Sequence, residues 1–285
     1  MKYAAPTTVD EARSLLADNP GSRVFAGATD LIPQMRSGQS EPSVMVDLKR
    51  IDQLMTVSHD GGHWTIGAAT PTSDLTRNAA FSGMFPGISE GAGLIGSDQI
   101  QNRSSLGGNL CNGSPAADSV PALIAAEARA VIASGDGSRT IAVADVVTGP
   151  GQTSLADGEF IVEFEIDDVP ANTGDAYLRM IPRTEMDIAV VGAAVRLTMD
   201  GDTVSDARVV LAAVAPTAVR VPDAEAALVG STLDDNTLAA VSAAAAAVCN
   251  PIDDKRGTIE YRTQVAGVLA KRAAVIAANR AQNGA

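Results

Sequence analysis

The chain has 285 residues, of which 46% are hydrophobic but only 3% aromatic, and it carries a formal net charge of −13. Its length calls for two or three packed subdomains whose cores are built mainly from Val, Ile, Leu and Ala. Its acidity argues against a nucleic-acid partner, because phosphate backbones are held chiefly by Lys and Arg.

Thr8 reads as the cap of a short amphipathic helix, with Glu11 three residues on and Leu15 and Leu16 on its buried side; Asn19-Pro20-Gly21 ends it. Arg23 to Phe25 is a short strand running into the small-residue turn Ala26-Gly27-Ala28-Thr29-Asp30-Leu31 and a helical segment, Ile32 to Arg36. Strand, small turn and helix is a phosphate-cradle layout. The turn lacks the three glycines of a dinucleotide fingerprint and the Gly-Lys-Ser/Thr of a Walker A loop, so taken alone it reads as a plain tight connection. Val44 to Leu48 is the next strand, completing a βαβ-like unit.

From Leu54 the rhythm changes to short strands, Leu54 to Val57 and His63 to Ile66, on either side of the Asp60-Gly61-Gly62 turn. His59 and His63 flank that turn without a third ligand or a carboxylate cluster, so they read as solvated hairpin residues and no metal site is assigned. A helix begins at Thr72 and another spans Ile88 to Ile95.

The organising stretch follows. It pairs the loop Ser105-Leu106-Gly107-Gly108-Asn109 with a second cluster, Ser114-Pro115-Ala116-Ala117-Asp118. Two consecutive glycines let a polar ligand approach the backbone closely, since no Cβ obstructs it. Ser114 and Pro115 read as N-cap and first residue of a buried helix running to Ala128, which would set free N–H groups beside the same spot. That is the physics of an anion site.

A second hairpin turn, Ser134-Gly135-Asp136-Gly137, lies between Ala130 to Ala133 and Arg139 to Val143, and Phe160 to Ile166 is a strand. The polar segment Asp167 to Asp175, with Pro170, Asn172 and Gly174, marks a subdomain boundary. Three strands come next, Asp175 to Met180, Ala189 to Met199 and Ala207 to Val214, then helices over Ala224 to Val229, Asn236 to Cys249 and Arg262 to Asn279. The alanine-rich faces of those helices point to close helix packing.

No apolar run approaches the roughly 20 residues of a bilayer span and no basic stretch precedes an apolar one at the N-terminus, so the expected location is cytoplasmic. Cys111 and Cys249 are too few for a disulfide framework and lack the paired spacing of zinc or iron–sulfur ligands. No nucleophile–base pair and no acid–base carboxylate pair stands out, so no catalytic residue is assigned. The two small-residue loops, each suited to backbone contact with a phosphate, together suggest a pyrophosphate-bearing cofactor that supplies the chemistry.

The AGATDL turn, the run QIQNRSSLGGNLCNGSPAADSVPAL and the later AYLRMIPRTEMDIAVVGAAVRL together resemble the FAD-binding medium subunit of molybdenum hydroxylases, the group of carbon monoxide dehydrogenase, xanthine dehydrogenase and bacterial N-heterocycle hydroxylases. Asp254-Lys255-Arg256, Tyr261-Arg262 and Lys271-Arg272-Ala273 resemble that family's closing helical segment, so the likeness covers nearly the whole chain. It implies an α+β fold. A two-part FAD-binding domain, with a small βαβ piece (residues 1–55) and a larger α+β piece (56–174), would precede a C-terminal antiparallel sheet packed with helices (175–285).

The resemblance also implies a site. Ala26, Gly27, Ala28, Thr29, Asp30 and Leu31 would wrap the FAD pyrophosphate from one side, and Ser105, Leu106, Gly107, Gly108 and Asn109 would close the other. Asp118 matches an aspartate reaching the ribityl side, with Ser114 in the adjoining turn and Ile66 at an apolar lining position. Arg179 and Arg183 fall near the isoalloxazine, followed by Asp187 and Ile188. Two positions depart from the pattern. Ala28 stands where Gly is common, which requires either a negative φ or a phosphate approaching from elsewhere. Arg179 replaces a usual lysine, keeping the charge and changing its geometry.

The implied function is electron relay through one FAD. Electrons would come from two 2Fe–2S clusters in a small partner subunit, after hydroxylation at a molybdopterin cofactor in a large one, and pass to an external acceptor. A dimer of heterotrimers is the implied assembly. The alternatives are a stand-alone FAD-dependent oxidase or reductase, and a non-catalytic binding or assembly subunit without flavin.

Overall fold

The computed structural model describes residues 1–135 and 137–283, so Asp136, at the tip of the second expected hairpin, lies outside the described residues. The chain opens with β1 (Lys2–Ala4), α1 (Val9–Asp18), β2 (Arg23–Phe25), α2 (Leu31–Arg36) and β3 (Val44–Asp47), and the three strands form a parallel sheet in the order β1-β3-β2. Thr8 Oγ1 accepts from the Glu11 N–H at 3.1 Å and Glu11 Oε2 accepts from the Thr7 N–H at 2.7 Å, which fixes the start of α1 much as a capping box does. The central strand β3 is buried along its whole length.

The second layer begins with the hairpin β4 (Val57–Asp60) and β5 (His63–Gly67), whose turn places Gly61 and Gly62 at φ +58° and +82°, the backbone that a two-residue hairpin requires. Short helices follow: α3 (Thr72–Arg77), α4 (Ala79–Met84), α5 (Pro86–Gly93), α6 (Asp98–Gln101), α7 (Leu106–Cys111) and α8 (Val120–Ala125). Then come β6 (Arg129–Ser134), β7 (Gly137–Ala142), the ribbon β8 (Val147–Gly149) and β9 (Gln152–Thr153), and β10 (Phe160–Asp167). An antiparallel sheet in the order β4-β5-β10-β6-β7 results.

Three local expectations change here. Leu54 is not in a strand: its carbonyl accepts from the Ala69 N–H at 2.9 Å, and residues 52–55 coil in a single tight turn over the end of β5. The Ser105-Leu106-Gly107-Gly108-Asn109 segment is not a loop but the cap and body of α7. The helix expected from Ala116 shrinks to α8, because Ser114 Oγ accepts from the Ala116 N–H at 3.2 Å and draws the chain into a local turn that competes with helix.

The third part is a sheet of β11 (Thr173–Met180), β12 (Val191–Asp200), β13 (Thr203–Ala212) and β14 (Val219–Arg220), followed by α9 (Pro222–Leu228), α10 (Asp235–Ala247) and α11 (Ile259–Asn283). Both faces are covered. Tyr177, Ala194 and Val210 join the core of the preceding part, while Ala193, Val195, Val209 and Leu211 face the helices. Hence Val191 to Leu197 is buried without interruption and shows no polar alternation. Ala266, Ala270, Ala273, Ala274 and Ala277 let α11 settle so closely that a Cβ on Gly174 would lie 2.3 Å from the Ala277 carbonyl oxygen.

Candidate functional site

The turn between β2 and α2 and the helix α7 face one another across a cleft lined by Ala26 to Leu31 on one side and Ser105, Gly108 and Asn109 on the other. A Cβ on Gly27 would lie 2.2 Å from the Arg103 carbonyl oxygen, so the glycine is what lets the two segments press together. Among the described residues, none accepts a backbone hydrogen bond from the N–H groups of Gly27 to Leu31. Five consecutive donors on one wall of a cleft are well suited to an anion.

The paired glycines of α7 have different tasks. A Cβ on Gly107 would meet the Ala68 carbonyl oxygen at 2.6 Å, so Gly107 is needed for packing against the end of β5. At Gly108 the added atom would meet only Ser105 Oγ, at 3.3 Å, and otherwise enters the cleft. Gly108 therefore leaves open the space a bulky polar group would fill. Ala28 sits at φ +57°, in the left-handed region. This overturns the negative-φ option, and a non-glycine residue there carries about 1–2 kcal/mol of strain.

Asp30 stands exposed at the rim, precedes α2 and makes no capping bond with its side chain; desolvation at the cleft raises its carboxyl above the usual range. A second cleft, of about 450 Å³, adjoins the first through Gly108, Phe25 and Cys111 and extends to Leu155 and Phe160. Burial pushes the Cys111 thiol up to about 12, leaving it protonated and unreactive at neutral pH.

A buried polar cluster lies outside the lining of both clefts. Asp118 Oδ1 accepts from the Tyr177 hydroxyl at 2.8 Å and Oδ2 accepts from Arg179 Nη1 at 2.7 Å. Desolvation pushes the Asp118 carboxyl up to about 6, against the pull of Arg179 and Tyr177, so it is ionised at neutral pH. Asp118 is thus engaged by protein groups on both oxygens. Arg179 Nε is buried and has no hydrogen-bond partner among the described residues, and Arg179 lines neither cleft. Two features fit an anionic, polar cofactor: a wall of free donors and an open Cβ position.

The other expected positions are dispersed. Ile66 and Leu106 are core residues, at 0% and 2% exposure. Ser114 lines a separate, small cavity with Val143 and Thr217. Arg183 and Ile188 sit on an exposed segment, where Arg183 Nε donates to Asp187 at 3.0 Å. His59 is not simply solvated: its Nε2 lies 2.9 Å from Asp168 and its ring stacks on Trp64 with centroids 4.7 Å apart.

Three participants were given no role by the sequence. Gln34 Nε2 donates to Asn112 Oδ1 at 3.0 Å across the cleft wall, Ser119 binds Asn109, and Tyr177 binds Asp118. Only the Tyr-x-Arg spacing of Tyr177 and Arg179, which puts both side chains on one face of a strand, could have signalled the last.

Residues 1–168 match the family described as the FAD binding domain in molybdopterin dehydrogenase, and residues 176–276 match the CO dehydrogenase flavoprotein C-terminal domain. The carbon monoxide dehydrogenase medium chain of Hydrogenophaga pseudoflava is 34% identical over 273 residues, covering 95% of each chain. The xanthine dehydrogenase FAD-binding subunit of Escherichia coli O157:H7 is 30% identical over 273 residues, 95% of this chain and 93% of that one. Among solved structures, the carbon monoxide dehydrogenase of Hydrogenophaga pseudoflava lacking its Mo-pyranopterin moiety superposes with a TM-score of 0.94 at 35% identity, covering 98% of both chains. Quinoline 2-oxidoreductase from Pseudomonas putida 86 does so with a TM-score of 0.93 at 28% identity, covering 99% of this chain and 98% of that one.

Proposed function

The chain belongs to the family of FAD-binding subunits of molybdenum hydroxylases, and from that premise we propose that its FAD pyrophosphate lies between Ala26 to Leu31 and Ser105 to Asn109. The chain is the FAD-binding, electron-transfer subunit of a multi-subunit molybdenum-containing dehydrogenase. Its cofactor is FAD, while the 2Fe–2S clusters and the molybdopterin cofactor belong to partner subunits. When bound, FAD takes single electrons from an iron–sulfur donor and releases one or two to an external acceptor.

What carries the site assignment is the run of partnerless N–H groups from Gly27 to Leu31 facing the open side of Gly108. The chain's share of the work is binding and electrostatics: the free N–H groups of Gly27 to Leu31 hold phosphate oxygens, Gly108 leaves room for them on the facing wall, and Asn109 adds an amide. Gly107 and Leu106 act through packing, and Ile66 supports β5 from the core. Asp118 and Arg179 form a fixed, buried ion pair, and Ser114 shapes the turn before α8. Arg183 and Ile188 belong to an exposed segment that would meet the flavin only in the loaded complex.

The same reading divides the chain at residues 55 and 174, and places it in the cytoplasm within a dimer of heterotrimers of medium, small iron–sulfur and large molybdenum subunits. Co-expression of the three gene products, followed by chromatographic identification of the released flavin and a sedimentation mass, tests this. FAD in equimolar ratio to this chain supports it. A complex without FAD, or one containing only FMN, refutes it.

A further inference from the structure

Ser119 occupies the N-cap position of α8, yet it does not cap that helix. Its hydroxyl donates to Asn109 Oδ1 at 2.7 Å and its N–H donates to the same oxygen at 3.3 Å. A backbone N–H can only donate, so the oxygen of the Asn109 amide must face Ser119. That fixes which end of the amide is left over. Both hydrogens of Asn109 Nδ2 are free, no described residue accepts from them, and Asn109 lines the cleft opposite Ala26 to Leu31.

Ser119 is itself held. It is fully buried, and the preceding Asp118 is clamped by the Tyr177 hydroxyl and by Arg179 from β11. The Tyr177 hydroxyl has room there only because residue 192 is glycine: a Cβ at Gly192 would sit 2.6 Å from it. The main chain of Asp118 packs on α5 through Gly91, where an added Cβ would lie 2.5 Å from the Asp118 carbonyl oxygen. Side chain, backbone and neighbouring strand therefore all fix the turn that carries Ser119.

We propose that Ser119 is a positioning residue, anchored by the Tyr177–Asp118–Arg179 cluster, that turns the Asn109 amide so that both its N–H groups serve an anionic group in the cleft. On the reading above that group is the FAD pyrophosphate, and the inference rests on that reading. Asn109 makes the contact; Ser119 and Tyr177 act through it. The C-terminal sheet thereby contributes to a cradle that it does not line.

The test is a double-mutant cycle on FAD affinity, measured by flavin fluorescence quenching on the FAD-depleted complex, with the thermal midpoint recorded for every variant. Ser119→Ala, Tyr177→Phe and Asn109→Ala should each weaken FAD by roughly threefold to tenfold. Adding Ser119→Ala or Tyr177→Phe to Asn109→Ala should change FAD affinity no further, while still lowering the thermal midpoint. A purely structural role predicts additive losses in affinity, and additivity overturns the proposal. Asn109→Asp supplies a second arm, because Ser119 would hold one carboxylate oxygen and leave the other, an anion, to the cleft. Binding at least tenfold weaker than that of Asn109→Ala is expected, and equal binding overturns the proposal. A wild-type complex that takes up no FAD would refute the function itself, whereas FAD binding with additive variants refutes only the role of Ser119.

Discussion

Asp118 and Arg179 meet at 2.7 Å although 61 residues separate them, with their side chains 10% and 5% exposed. Breaking a buried pair by removing one member strands the other charge. Arg179→Met should therefore lower unfolding stability by about 3–5 kcal/mol, measured by urea denaturation. Arg179→Lys keeps the charge and should cost only about 1–2 kcal/mol. Equal stability for Arg179→Met and wild type would show that the pair contributes nothing.

Ala28 at φ +57° carries strain that glycine would not. Ala28→Gly should raise unfolding stability by about 0.5–1 kcal/mol, the relief of left-handed strain being partly offset by the greater freedom of glycine in the unfolded chain. The thermal midpoint reads this directly. A fall in stability would mean that the alanine methyl makes packing contacts that outweigh its backbone strain.

Gly107 and Gly108 should respond oppositely. Gly107→Ala drives a Cβ into the Ala68 carbonyl at 2.6 Å and should destabilise the fold by about 1–3 kcal/mol. Gly108→Ala meets only Ser105 Oγ at 3.3 Å, so the fold should survive while FAD retention falls. Melting curves and flavin content, measured on both variants, separate the two effects. Identical behaviour in both assays would contradict the division of labour.

Asp175 provides a pH prediction. Burial pushes its carboxyl up to about 7; the Gly87 N–H bond pulls it down, Glu90 pushes it up, and Arg280 and Arg196 pull it down. A raised native value means that the folded state binds more protons than the unfolded one between the two pKa values. The stabilisation is complete below about pH 4 and is lost as pH rises through about 7. Asp175→Asn keeps an acceptor for Gly87 but has no proton to lose. Between pH 5 and 8 the wild type should lose roughly 2–3 kcal/mol more than the variant, measured by denaturant titration across that range. Parallel pH profiles would place the Asp175 value in the ordinary carboxylate range.

Much of this was legible in the sequence where the signal is local. Thr8 and Glu11, the paired Gly61 and Gly62, and the alanine face of α11 each declare their structure within a few residues. The two walls of the cleft were legible too, because small residues cluster where the Gly27 turn presses against the chain leading into α7. What was hidden depends on long-range pairing. Tyr177 and Asp118 are 59 residues apart, and no periodicity links them. Ser119 drew no notice in the sequence, yet it occupies the N-cap position of α8 and its hydroxyl is drawn to Asn109, ten residues back. Ser114 misled for a related reason: its side chain satisfies the Ala116 N–H locally, and the helix starts later.

The central claim is that FAD is held between the Ala26 to Leu31 turn and α7. Equilibrium titration of the FAD-depleted complex with FAD, run side by side on wild type and Gly108→Val, tests it most directly. The account predicts one FAD per wild-type chain, and at least a hundredfold weaker binding by a Gly108→Val complex of unchanged subunit composition and thermal midpoint. Equal affinity in the two proteins, or no FAD uptake by the wild type, would contradict it.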